Sequence, residues 1–232
     1  MLIKDEILKN IQGGLIVSCQ ALIHEPLHGS DIMSKMAYAA WLGGARGIRA
    51  NSPEDIREIK KIVNLPVIGL YKQDYPDCEV YITPTEAEVE SLMESRPDII
   101  AVDATFRPRP YGVDLDTFFR NIRRKFPQML FMADCSTYEE AVHAEELGFD
   151  LVGTTLCGYT KVTKETSLPA LTLMKRLTAK LNIPVIAEGG IWTPEQLKEA
   201  FQTGVHAAVV GTAITRPMDI TKRFVEAITS KE

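Results

Sequence analysis

Residues 184–216, PVIAEGGIWTPEQLKEAFQTGVHAAVVGTAITR, hold one complete unit of the fold. A short apolar run ends in Glu188-Gly189-Gly190. Thr193-Pro194-Glu195-Gln196 then supplies a helix cap, a first-turn proline and an acid, followed by LKEAFQTG with Gly204 as its stop. A second apolar run, AAVV, opens onto Gly211-Thr212. Short apolar runs bounded by turn residues and joined by a capped helix are parallel strands buried on both faces.

The same grammar recurs along the chain. Eight such runs occur: LIVSCQ from Leu15, GIRAN from Gly47, PVIGLYK from Pro66, IIAVDAT from Ile99, LFMADCS from Leu130, LVGTTLCGYT from Leu151, PVIAEGG from Pro184 and AAVVGTAITR from Ala207. An open doubly wound sheet also alternates strand and helix, so the count of eight is what points to closure. Sharing 232 residues among eight units leaves 29 for each, enough for a strand, a helix and two short connections. The expectation is an α/β protein: one (β/α)8 TIM barrel domain over residues 1–232, with a short N-terminal helix.

Helix signals support the strands between them. Ser52-Pro53-Glu54-Asp55 opens IREIKKIV. Ser136 with Glu139 reads as a capping box for YEEAVHAEELG, which Gly148 ends. Ser30 is expected to cap DIMSKMAYAAWLGG, with Ile32, Met36, Ala39 and Ala40 as its buried stripe. Further helices are expected in TEAEVESLMES after Pro84, in LDTFFRNIRRKF, in PALTLMKRLTAKL and in DITKRFVEAIT. The longest loops, near 73–82, 105–114 and 157–167, fall on the strand-exit side.

With 45% apolar and 25% charged residues, the composition is that of an ordinary globular chain. A net charge of -5 argues against a nucleic-acid or anionic-membrane surface. No run approaches the roughly 18 apolar residues of a membrane span, and the opening MLIKDEILKN lacks a signal-type apolar stretch. Cys19, Cys78, Cys135 and Cys157 show neither CxxC nor zinc spacing. A soluble, cytoplasmic protein with reduced cysteines is expected; a catalytic thiol at a strand end is the alternative to small buried hydrophobes.

In such a barrel the residues after each strand converge on one pocket. Gly189, Gly190, Gly211 and Thr212 follow the seventh and eighth strands, where backbone N–H groups commonly receive a phosphate; the plainer reading is that they only make tight turns. Lys72 ends the third strand, and desolvation with nearby cations such as Arg49 would lower its pKa toward that of a useful base. Glu188 lies across the mouth from it, as proton-transfer partner or as an ion-pair partner of Arg49 or Lys72. Arg49 and Arg216 suit a phosphate or a developing enolate oxygen. Gln20 and Asp134 suit sugar hydroxyls or an amide, and Asp103 either does the same or accepts turn N–H groups. His24, His28, His143 and His206 offer no strand-end pair for a catalytic metal, and no Walker-type or dinucleotide glycine motif occurs. A Schiff-base aldolase using Lys72 and a non-catalytic phosphosugar-binding regulator remain open as rivals.

GLIVSCQA with EPLH, GIRAN, PVIG with its following lysine, VDAT, MADCST, GTTLCGYT, VIAEGGI-TP and VVGTAITRP together resemble the bacterial N-acylglucosamine-6-phosphate (N-acetylmannosamine-6-phosphate) 2-epimerases, over about residues 13–229. The resemblance implies a metal-independent, cofactor-free epimerase acting on an amino-sugar phosphate in sialic acid and amino-sugar breakdown. It implies Lys72 and Glu188 as catalytic residues and Gln20, Arg49, Asp134 and Arg216 as substrate contacts. It also points to a homodimer; the helix faces themselves offer Ala37, Tyr38 and Trp41 on the first helix or Phe224 on the last as interface or core. Residues 73–82 and 105–116 carry no motif of the family.

Overall fold

The computed structural model describes residues 4–229; the ends of the expected 1–232 domain lie outside the described residues. In chain order the elements are α1 (Lys4–Ile11), β1 (Leu15–Cys19), α2 (Ser30–Leu42), β2 (Gly47–Asn51), α3 (Pro53–Ile62), β3 (Val67–Leu70), α4 (Glu86–Ser95), β4 (Ile99–Asp103), α5 (Leu115–Lys125), β5 (Leu130–Asp134), α6 (Tyr138–Leu147), β6 (Leu151–Gly153), α7 (Leu171–Lys180), β7 (Val185–Glu188), α8 (Pro194–Gln202), β8 (Ala207–Val210), α9 (Thr212–Thr215) and α10 (Pro217–Thr229). The eight strands pair in sequence order, all parallel, and β1 closes on β8 through Ile16 opposite Val209. This is the (β/α)8 barrel expected from the eight runs.

Two apolar layers hold it. Strand residues alternate in direction, so Ile16, Ile68, Ile99, Leu130, Leu151, Ile186 and Ala207 fill the barrel, while Val17, Ile48, Val67, Ile100, Phe131, Val152 and Ala208 meet the helices. Ile7 and Ile11 of α1 join the inner cluster and stopper the strand-entry end. His206 Nε2 meets the Leu8 carbonyl at 2.8 Å there. With the entry end stoppered, the exit end is the open one.

The helix caps follow the expected chemistry at Ser52 and Thr193, Thr85 with Glu88 forms a further capping box on α4, and Gly148 ends α6 with φ +94°. Two local expectations are corrected. The capping box of α6 is Thr137 with Glu140, one residue later than Ser136 with Glu139. Glu140 wins because its carboxylate collects the Ser136 N–H, the Ser136 hydroxyl and the Thr137 N–H at 2.7–3.0 Å. The cap position of α2 is Gly29, and the Ser30 hydroxyl instead donates to Asp55 at 2.7 Å.

The buried face of α2 is Met33, Ser34 and Ala37, not the expected Ile32, Met36 and Ala39/Ala40 stripe. Met36, Ala39 and Ala40 line an open apolar groove of about 310 Å3, floored by Leu15 and Val17 of β1 and bordered by Ile214. No residue of α10 is buried, and Phe224, Val225 and Ile228 are exposed. The helix after β8 therefore leaves part of the barrel wall bare.

Between β3 and β4 the barrel wall is widened at its mouth. These strands share only two register pairs, Ile68 with Ile99 and Gly69 with Ile100. Beyond them the segment Tyr81–Thr83 slots in antiparallel: Gln73 N–H donates to the Tyr81 carbonyl, Thr83 N–H to Tyr71, and Asp103 N–H to Ile82. Lys72 pairs with Ile82 across this insert.

Candidate active site

Strand parity builds the site. Two residues after the last inward apolar position of a strand comes the next inward position, and there the side chains turn polar. Ile16 leads to Ser18 and Gln20, Gly47 to Arg49, Ile68 and Leu70 to Lys72, Met132 to Asp134, Gly153 to Thr155, and Ile186 to Glu188. A cavity of about 270 Å3 opens above the inner apolar cluster, lined by Gln20, Arg49, Lys72, Thr155, Glu188, Gly189, Gly190, Gly211, Thr212 and Arg216, with Ser18, Leu70, Tyr81, Ile82, Tyr159 and Trp192 among the others.

Charge is concentrated at its floor. Arg49 is 1% exposed and grips Asp134 with both terminal nitrogens, at 2.5 and 3.2 Å, while Nη1 also reaches Glu188 at 3.0 Å. Burial alone would make that guanidinium easier to deprotonate, but Asp134 and Glu188 outweigh it and keep it charged. The Thr155 hydroxyl lies 2.7 Å from Asp134 and 3.1 Å from Glu188. Burial pushes the Glu188 carboxyl up to about 7, against the pull of Arg49 and with the help of Asp134.

Lys72 faces this cluster from the opposite wall. Burial pushes its amine down to about 8, assisted by the charges of Arg216 and Arg49. Among the described residues that amine makes no hydrogen bond or ion pair. An amine that gives up its proton easily and a carboxyl that keeps its own near neutrality thus share one cavity. Such a pair suits moving a proton to and from carbon.

Glycines shape the far end. Gly189 and Gly190 have φ of +107° and +70°, and a Cβ on Gly190 would lie 2.3 Å from the Leu168 Cβ. The chain can turn so tightly beside Leu168 only without a side chain. The Gly190 and Thr212 amides carry no hydrogen bond from within the described residues, as an anion-receiving turn requires. Arg216 stands beside them, held by Glu25 at 3.0 Å, and Glu25 is itself fixed by the Leu22 N–H.

A family model described as "Putative N-acetylmannosamine-6-phosphate epimerase" matches residues 33–230. The chain belongs to that family. Curated relatives carrying the 2-epimerase name include one from Caldanaerobacter subterraneus subsp. tengcongensis, 53% identical over 223 residues, 96% of this chain and 94% of the relative. One from Borreliella burgdorferi is 53% identical over 225 residues, covering 96% of this chain and 97% of its own. The solved structure of the N-acetylmannosamine-6-phosphate 2-epimerase from Clostridium perfringens superposes with a TM-score of 0.90 at 50% identity, over 95% of this chain and 96% of that one.

Of the residues expected at the site, the structure brings Lys72, Glu188, Gln20, Arg49, Arg216, Gly189, Gly190, Gly211 and Thr212 to one cavity. The buried Gln20 Oε1 has no partner among the described residues and is free to accept from a ligand. Asp134 is fully buried and does not line the cavity, which it meets through its bonds to Arg49 and Thr155. Asp103 takes the turn role, accepting from Thr105 and pairing with Arg107 at 2.6 Å. The thiols of Cys19, Cys135 and Cys157 are all pushed up by burial, Cys19 to about 12, which suits small hydrophobes and not nucleophiles.

Three positions in this epimerase-family site had no sequence signal as site residues. Asn51 accepts the Lys72 N–H at 2.8 Å, continuing the β2–β3 ladder after the backbone has turned away at Ser52, whose φ is +78°. The Thr154 hydroxyl accepts the Glu188 N–H at 3.0 Å and donates to its carbonyl at 2.8 Å. The backbones of Lys72 and Glu188 are thereby each fixed by a side chain at the end of the preceding strand. The third, Tyr81, sits in a segment read from sequence as loop.

Proposed function

We propose that this chain interconverts N-acetylmannosamine 6-phosphate and N-acetylglucosamine 6-phosphate by metal-independent proton transfer at C2, acting as one cytoplasmic barrel domain in amino-sugar and sialic acid breakdown. The observation that carries this reading is that burial brings Lys72 and Glu188, on facing walls of the cavity, to titrate close to one another, at about 8 and about 7. In the open-chain sugar, C2–H lies beside the C1 aldehyde. Removing that proton breaks the C–H bond and moves its electron pair into an enolate, whose oxygen Arg49 stabilises. Lys72 holds or returns the C2 proton, and Glu188 serves the opposite side. Delivery to the other face of C2 gives the epimer, with no net gain or loss of atoms. Anchoring the 6-phosphate at Gly189, Gly190, Gly211, Thr212 and Arg216 fixes C2 between the two groups, and orientation of that kind removes several kcal/mol from a barrier.

Proton NMR of N-acetylmannosamine 6-phosphate in deuterated buffer tests the reading. Catalytic protein should replace the C2 proton by deuterium and accumulate the gluco epimer without carbon–carbon cleavage; unlabelled substrate, or cleavage, overturns it. The rate should trace a bell with pH. The form with Lys72 neutral and Glu188 protonated is a minority of the pair that is most populated between about 7 and about 8, so the maximum lies there and both limbs belong to the pair. Glu188→Gln should erase the alkaline limb. Phosphate beside Arg216 cancels one of the charges that depress Lys72, so the acid limb of kcat should lie at higher pH than that of kcat/KM.

A homodimer is the assembly we propose. The exposed stripe Phe224, Val225 and Ile228 of α10 and the bare groove floored by Leu15 and Val17 are complementary apolar surfaces. A second copy that lays its α10 in the groove buries both. Phe224→Glu with Ile228→Glu should convert a dimer to a monomer by light scattering after size exclusion; an unchanged mass overturns this assembly.

A further inference from the structure

The cavity has a second end, opposite the phosphate turns, that the proton chemistry leaves unassigned. Its wall is made by Leu70 of β3 and by Tyr81 and Ile82 of the antiparallel insert between β3 and β4. Leu70 and Ile82 are buried and apolar. Tyr81 packs its ring against the inner apolar cluster, and among the described residues its hydroxyl has no hydrogen-bond partner. The charges of Asp134, Asp103, Arg107 and Arg49 all act on that hydroxyl, which thus looks toward the charged residues at the ends of β2, β4 and β5. An apolar wall carrying one free hydroxyl is chemically unlike the polar floor and the glycine turns. It is made for a ligand group with one apolar and one accepting part.

We propose that Tyr81 is a specificity-determining residue that receives the N-acyl group of the substrate, its hydroxyl donating to the amide carbonyl while Leu70 and Ile82 pack against the acyl methyl. The assignment rests on the epimerase reading and deepens it. With phosphate at the β7–β8 end and C2 beside Lys72, the C2 nitrogen and its acyl group lie within two bonds of the reacting carbon, next to the residue that pairs with Ile82. The insert is fixed as firmly as a strand: Ile82 accepts from Asp103, and the Thr83 hydroxyl donates to Ala101 at 2.7 Å. Tyr81 is therefore preset before substrate arrives. A free amine at C2 would be protonated, could not accept from Tyr81, and would meet Arg49 and Lys72 with like charge.

The test compares Tyr81→Phe with the unaltered protein. Loss of one neutral hydrogen bond should lower kcat/KM for N-acetylmannosamine 6-phosphate about tenfold. Inhibition by inorganic phosphate, which reports only the far end, should not change, and the preference over mannosamine 6-phosphate should shrink by the same factor. A purely structural tyrosine would move phosphate inhibition too, or leave the preference intact; either result overturns the proposal. A measurement on unaltered protein avoids any folding defect of the variant. With ring-labelled tyrosine, the acyl methyl of bound substrate should show a nuclear Overhauser contact to Tyr81, assigned by its loss in Tyr81→Phe. Contact to Tyr159 alone overturns the proposal. If unaltered protein washes no deuterium into C2, the epimerase reading fails on its own, while the methyl contact still decides the role of Tyr81.

Discussion

Lys72→Met protein is expected to bind the amino-sugar phosphate with little loss and to exchange the C2 proton on the order of 1,000-fold more slowly, the scale of a removed general base. The phosphate turns and Gln20 do not depend on the amine for their positions, so KM should change far less than kcat. Lys72→Arg separates the two services the lysine could give. Arginine keeps a positive charge in the cavity but cannot give up its proton in a protein. If Lys72 works as a base, Lys72→Arg is as inactive as Lys72→Met; if it only neutralises the enolate, Lys72→Arg retains most of the rate. Borohydride reduction in the presence of substrate adds a third arm. Covalent labelling of Lys72 would place the chain among Schiff-base aldolases and remove the epimerase mechanism altogether.

That lysine was readable from sequence because two periodicities coincide at it. Counting inward in steps of two from Ile68 passes Leu70 and arrives at Lys72, so the direction of the side chain follows once β3 is recognised. The same step leads from Ile186 to Glu188 and from Met132 to Asp134. Parity does not give depth, however. Asp134 and Glu188 both point inward at strand ends, yet Asp134 is sealed beneath Arg49 while Glu188 reaches the cavity, and the difference lies in the stagger of the closed barrel. The Tyr81–Thr83 insert escaped for another reason. Three residues that fold back on Tyr71–Gln73 are too few to carry a local period, and the positive φ of Asp77 and Thr83, +56° and +47°, leaves no mark in the sequence. Asn51 and Thr154 serve through one and two side-chain bonds to a neighbouring backbone, and composition carries no trace of such bonds. The bare groove beside α2 was half legible: the stripe at Ile32, Met36 and Ala39/Ala40 is apolar as read, but its cover does not come from the barrel helices.

Arg49 has the largest expected effect on stability, because among the described residues it is the one cation that touches both Asp134 and Glu188. Arg49→Met leaves these two carboxyls bridged by the Thr155 hydroxyl and without their cation. Removing one partner of a buried ion pair costs about 3–5 kcal/mol, and denaturant unfolding at pH 8 should show a loss of that size. The sign of its pH dependence follows from the carboxyls. Deprived of Arg49, Glu188 keeps its proton to higher pH when folded than when unfolded, so the folded state binds more protons and stability falls as pH rises through the raised folded pKa. Glu188 already lies at about 7 with Arg49 present, so in Arg49→Met it should titrate higher still. The deficit should therefore be smaller at pH 6 than at pH 8; an equal deficit at both would mean that Asp134 and Glu188 never depended on this guanidinium. Arg49→Met with Asp134→Leu should recover much of the stability, since a packed apolar pair replaces a buried ionic one at little cost. It should recover none of the epimerisation, because the enolate oxygen would still lack its cation. Fold and chemistry thus lean on the same side chain and are separable by one second substitution.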